Sequence, residues 1–186
     1  MSWRTFRRDP DTASNAPGGV AAVWGIAGVA FLLGAALARL IPLGLDAFSY
    51  PLHPVHWAAL GVWLPAMAWA EGYRGFHRAF SPMVAARARY LRQHPRPLHV
   101  VLAPLFCFGL IHATRRRKLR SALLSLGIIV IVTLVHRLAQ PWRGIVDLGV
   151  VVGLAIGLCS LAFFAVQALG SASFEHSPEV PGETAF

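Results

Sequence analysis

The chain has 186 residues, of which 56% are hydrophobic and only 13% charged, with mean hydropathy +0.56 and formal net charge +9. A soluble domain carries roughly 25% charged residues, so this chain has too few charges to coat a water-facing globule. High apolar content excludes wholesale disorder, and the presence of only Cys107 and Cys159 excludes a disulfide scaffold.

What remains is an all-α integral membrane protein, a single domain by length. Residues 1–17 carry Arg4, Arg7 and Arg8 in a turn-rich polar stretch and are expected to form a disordered cytoplasmic tail. The first span runs from about Val20 to Leu43. It exceeds the apolar core of a cleaved signal peptide and suits an uncleaved signal-anchor. Within it Ala30, Gly34 and Ala38 form a small-residue ladder at four-residue spacing, the pattern that lets helix backbones approach closely.

A second span is expected over 53–70, with Pro54 at its first position and a kink at Pro65, which cannot donate a hydrogen bond. Glu71 follows, with Arg74 and Arg78 on the same side, so an ion pair at the cytoplasmic boundary is expected. "EGYRGF" reads as a structured turn. Residues 81–94 read as an amphipathic helix in the membrane interface, Ser81 capping it and Val84, Ala88 and Leu91 recurring at helical spacing. Residues 97–114 are uncharged but interrupted by Pro104, and Arg115, Arg116, Arg117, Lys118 and Arg120 follow at once. A fourth apolar stretch covers 121–139, "QPWRG" makes a turn, and a final span covers about 145–169. Residues 171–186 are a polar, acidic tail.

Cytoplasmic loops collect Lys and Arg. If 97–114 crosses fully, the whole 115–120 cluster faces outward. If it dips in and returns, Arg4, Arg7, Arg8, the six arginines of 74–96 and the cluster all lie inside, leaving only Arg39, Arg137 and Arg143 outside. The second arrangement is the more asymmetric. It predicts four transmembrane helices plus a re-entrant or interfacial hairpin, in the bacterial inner membrane with both termini cytoplasmic. Five transmembrane helices is the alternative.

The sharpest local pattern is Gly149, Gly153 and Gly157, two consecutive GxxxG steps on one face of the last span. Such a groove serves either packing within the chain, against the first or fourth span, or a partner subunit or second copy. Asp147 lies near the outer end of that helix. It is either an ion site at membrane depth or the partner of Arg143 four residues earlier. His56 and His136 fall on the same side in this topology and are the candidate axial pair for a haem b or a metal, against the plainer reading of interfacial hydrogen bonding. The polybasic cluster fixes orientation and contacts anionic lipid. The basic segments hold no nucleic-acid reader, so no nucleic acid is expected. No zinc-protease motif, phosphate loop or nucleophile elbow occurs. The expectation is therefore a non-catalytic accessory or assembly subunit with no cofactor. A haem or metal protein and a small oligomeric transporter are the alternatives.

Overall fold

The computed structural model describes residues 16–94, 97–109, 130, 132–171, 174 and 176. Helix is the only regular secondary structure among them. Helix α1 (Ala16–Leu45) is followed by a 3-10 turn, Asp46–Ser49. Helix α2 (Pro54–Met67) opens with proline in its first turn, where a missing N–H costs nothing. The His53 backbone N–H donates to His56 Nδ1 at 3.0 Å, which fixes the entry of the chain.

Helix α2 does not end where the apolar run ends. It passes without a break into a π-helical segment, Ala68–Phe80, and then into α3 (Ser81–Gln93). The expected turn at "EGYRGF" is thus replaced by helix. In an α-helix, residues five apart are rotated by about 140° from one another. With i→i+5 hydrogen bonds they return to one face. Glu71, Phe76 and Ser81 consequently all face the same neighbour. That neighbour is the last helix, α6 (Trp142–Gly170).

Between α3 and α6 lie α4 (Pro97–Val101) and α5 (Ala103–Phe108), broken at Leu102 and closed by Gly109 at φ 88°. A side chain at Gly109 would be strained by that left-handed backbone. Both pack on α1, where Gly25 and Gly28 admit α5. A Cβ at Gly25 would fall 2.6 Å from Cys107 Sγ, and one at Gly28 would fall 2.5 Å from Pro104 Cγ. The core is built from Val29 and Leu33 of α1, Val84 and Leu91 of α3, Phe106 of α5, and Leu154 and Leu161 of α6.

Helix α3 differs from the interfacial amphipathic helix read from its sequence, since Ser81 to Ala88 are all buried and Arg87 is fully so. Small side chains at Ala85, Ala86 and Ala88 let it nest among its neighbours. Its arginines are satisfied by carbonyl groups. Arg87 Nη1 donates to Phe106 O at 2.7 Å, with its guanidinium 5.0 Å above the Phe106 ring. Arg89 donates to Ala168 O and Ser171 O, and Arg92 donates to Leu169 O. Those carbonyls belong to the last turn of α6 or just beyond it, where they lack helical partners and where the helix dipole favours cations.

Two helical stretches, Gly18–Ser49 with 32 residues and Trp142–Gly170 with 29, are long and apolar enough to cross a membrane. The expected second span is the first part of the longer α2–α3 rod. About half of the expected fourth span lies outside the described residues, and Arg115, Arg116, Arg117, Lys118 and Arg120 lie wholly outside them. In the acidic tail, Phe174 and His176 pack near the Phe164 ring of α6.

Candidate functional site: a polar seam between the long rod and the last helix

The glycine stripe of α6 is filled by the chain itself. Gly149 faces Trp63 and Met67, Gly153 faces Glu71, and Gly157 faces Phe76. A Cβ at Gly153 would fall 2.9 Å from Glu71 Oε2, and one at Gly157 would fall 2.5 Å from Phe76 Cγ. The fit is reciprocal, because a Cβ at Gly72 on the rod would fall 2.8 Å from Ile156 Cδ1. The occupant is therefore the α2–π–α3 rod, rather than the first or fourth span.

Polar groups punctuate this contact along its whole length. Trp63 Nε1 donates to Val146 O at 3.4 Å near one end. His77 Nδ1 and Ser160 Oγ share a hydrogen bond of 3.1 Å, and Ser81 Oγ donates to Gly157 O at 3.4 Å. Along the π segment, Trp69, Tyr73 and His77 stack at 5.0 and 5.6 Å between successive rings, leading from the exposed face into the seam.

Glu71 is the exception in the seam. Its Oε2 is shielded from solvent and has no hydrogen-bond partner among the described residues. The anticipated boundary pair with Arg74 or Arg78 does not form, for both arginines point outward and are exposed. Sequence reasoning placed Glu71 at a boundary because the apolar run stops there and arginines follow. The signal that could have relocated it was the four-residue glycine spacing of α6, which required some wide side chain opposite Gly153.

A second polar group gathers at the far end of α6. Asp147 is buried, and Arg143 Nε lies 3.9 Å from its Oδ2, too long for a hydrogen bond but close enough for attraction. Asp147, His136 and Arg39 share the lining of a cavity of about 430 Å³, otherwise walled by aliphatic side chains such as Leu40, Val132 and Val150. Gln140 ties this end together, donating to Asp46 Oδ2 at 2.9 Å and accepting from the Gly144 N–H at 3.0 Å.

His56 and His136 are placed in different surroundings. His56 is buried with its ring edge on Trp142, 4.8 Å between centroids. His136 is exposed, with Nδ1 on Val132 O at 2.7 Å, and borders the cavity. Among the described residues no group of three or more His, Cys, Asp or Glu side chains is arranged to hold a metal. The ladder on α1 differs from the stripe on α6. Ala30 is partly buried and Ala38 exposed, and a Cβ at Gly34 would meet nothing within 4 Å among the described residues. Gly25 and Gly28, absent from the sequence-derived set, are the glycines of α1 that admit another element.

Comparison with protein-family models, curated proteins and solved structures finds no match to this chain.

Proposed function

We propose that the chain is a multi-pass protein of the bacterial inner membrane that acts as a non-catalytic accessory subunit, packing against other membrane helices. The topology in this reading is four spans and a dipping hairpin, with both termini cytoplasmic. The observation that carries the packing role is α1. Only 28% of its most apolar window is buried within the chain, and a Cβ at the ladder position Gly34 would meet nothing within 4 Å among the described residues. Its bare face holds Val20, Trp24 and Phe31, a surface for lipid or for an apolar helix and a costly one for water.

The contacts of α5 support the dip. Ala103 and Cys107 both meet α1 at Gly25, with Pro104 between them at Gly28. These residues thus lie across α1 instead of advancing along it, and Arg92 meets α1 nearer its N-terminus, at Gly18. That end also holds the arginines bonded to the α6 carbonyls, which suits a basic cytoplasmic face.

Gentle extraction followed by native mass spectrometry tests the subunit role. A companion or second copy should remain bound, and Gly34→Leu should release it without unfolding the chain. A lone monomer under every mild condition overturns the role. Reporter fusions after Lys118 and at the C-terminus test topology, and a periplasmic signal at either overturns it. An ion-handling role is the second reading, favoured by Glu71 in the seam and by Asp147 at the cavity.

A further inference from the structure

Glu71 sits opposite Gly153, which lies eleven residues from Trp142 and seventeen from Gly170 along α6. At 1.5 Å per residue that is about 16 Å from one helix end and about 25 Å from the other, inside any ~30 Å hydrocarbon core centred on this helix. A lone carboxylate at that depth is expensive, and ionisable groups found there are ordinarily paired or functional.

No cation faces Glu71 among the described residues. The stripe opposite it is glycine, and the nearest ionisable groups on α6 are Asp147 and Cys159. On its own rod, Arg74 and Arg78 are exposed and His77 is bonded to Ser160. On α3, Arg87 is turned to Phe106 O. Helix α1 contributes only Arg39, which lines the cavity beside Asp147.

We propose that Glu71 is a proton-binding site in the membrane interior. The carboxylate takes up one proton on an oxygen and gives it back. The seam favours a proton over a metal cation on two grounds. Among the described residues no group of three or more His, Cys, Asp or Glu side chains surrounds it to hold a metal ion, and the closeness of Gly153 leaves no room beside it for a hydrated one. A proton cancels the charge without adding volume. The π register supplies the placement, because it turns Glu71 and Phe76 onto one face and holds the carboxyl in the groove that Gly153 leaves.

The inference rests on the membrane placement of α6 and of the rod beside it, which brings Arg74 and Arg78 into the membrane domain and not the cytoplasm as the charge count has them, but not on any partner subunit. Carbonate washing of membranes reads placement, and carbodiimide labelling of the purified full chain in lipid nanodiscs reads the site. Dicyclohexylcarbodiimide adds to protonated carboxyl groups in apolar surroundings, and a water-soluble carbodiimide reaches exposed ones. The lipid-soluble reagent should modify Glu71, detected as a mass adduct on its peptide, and Glu71→Gln should abolish that adduct while folding normally. Between about pH 5 and pH 9 the labelling rate should fall, by about tenfold per unit once the proton leaves. Absence of the adduct in folded protein overturns the proposal, as does a rate flat across that range or preferential attack by the water-soluble reagent.

Discussion

The small-residue stripes of α6 and α1 have the same four-residue spacing and opposite fates. On α6, each of Gly149, Gly153 and Gly157 is closed by a wide side chain of the rod. On α1, Gly34 faces open space among the described residues, while Gly25 and Gly28, at a different spacing, hold the α4–α5 segment. Spacing thus tells where a backbone can be approached, and the side chains opposite decide whether anything does. Filling costs nothing where the ladder is open and a great deal where Trp63, Glu71 or Phe76 already occupies the space.

The sharpest way to break this contrast is Gly153→Leu. The new side chain has nowhere to go, since its first carbon already falls 2.9 Å from Glu71 Oε2. Overpacking of a tight contact costs typically 1–3 kcal/mol, so a loss of about 3 kcal/mol is expected, because the stiff rod gives little. Thermal unfolding in a mild detergent should show it. An unchanged midpoint would mean that α6 and the rod are not in contact. Arg87→Met should follow, at about 2 kcal/mol, because it strands the Phe106 carbonyl in a buried site. Arg92→Met, which alters an exposed side chain, should cost much less, and equal losses would argue against a buried Arg87.

The two long apolar helices were legible in the sequence. Val20–Leu43 became Ala16–Leu45, and 145–169 became Trp142–Gly170. Twenty apolar residues leave a helix little alternative in hydrocarbon. The rod was not legible, because hydropathy falls at Glu71 while backbone hydrogen bonding continues through to Gln93. A π register leaves no compositional trace, and it is what swings Phe76 and Ser81 onto the α6 face. The burial of Arg87 leaves no trace in composition for a related reason. An arginine in a basic stretch is expected in water, and only the fold supplies the free carbonyl that lets it stay inside. Within the seam, sequence identified the glycines and missed what fills them.

At the cavity beside Asp147, Asp147→Asn should change stability by no more than about 1 kcal/mol, since Arg143 lies at 3.9 Å and is partly exposed. A large loss would show that Asp147 holds this end of α6 through His136 and Arg39 as well, and Arg39→Gln would then lose as much.

The smallest expected effect on folding is the most telling about the open stripe. Gly34→Leu places a large side chain where the described residues leave space, and leucine is a better helix former than glycine by nearly 1 kcal/mol. The midpoint of thermal unfolding should hold or rise slightly. Assembly should respond differently, because a leucine in the ladder keeps another helix from close approach. Stability retained with a companion lost identifies α1 as the face that other helices use. Stability lost instead would mean that another part of this chain lies against Gly34, and the two stripes would then differ only in which of the chain's own segments fills them.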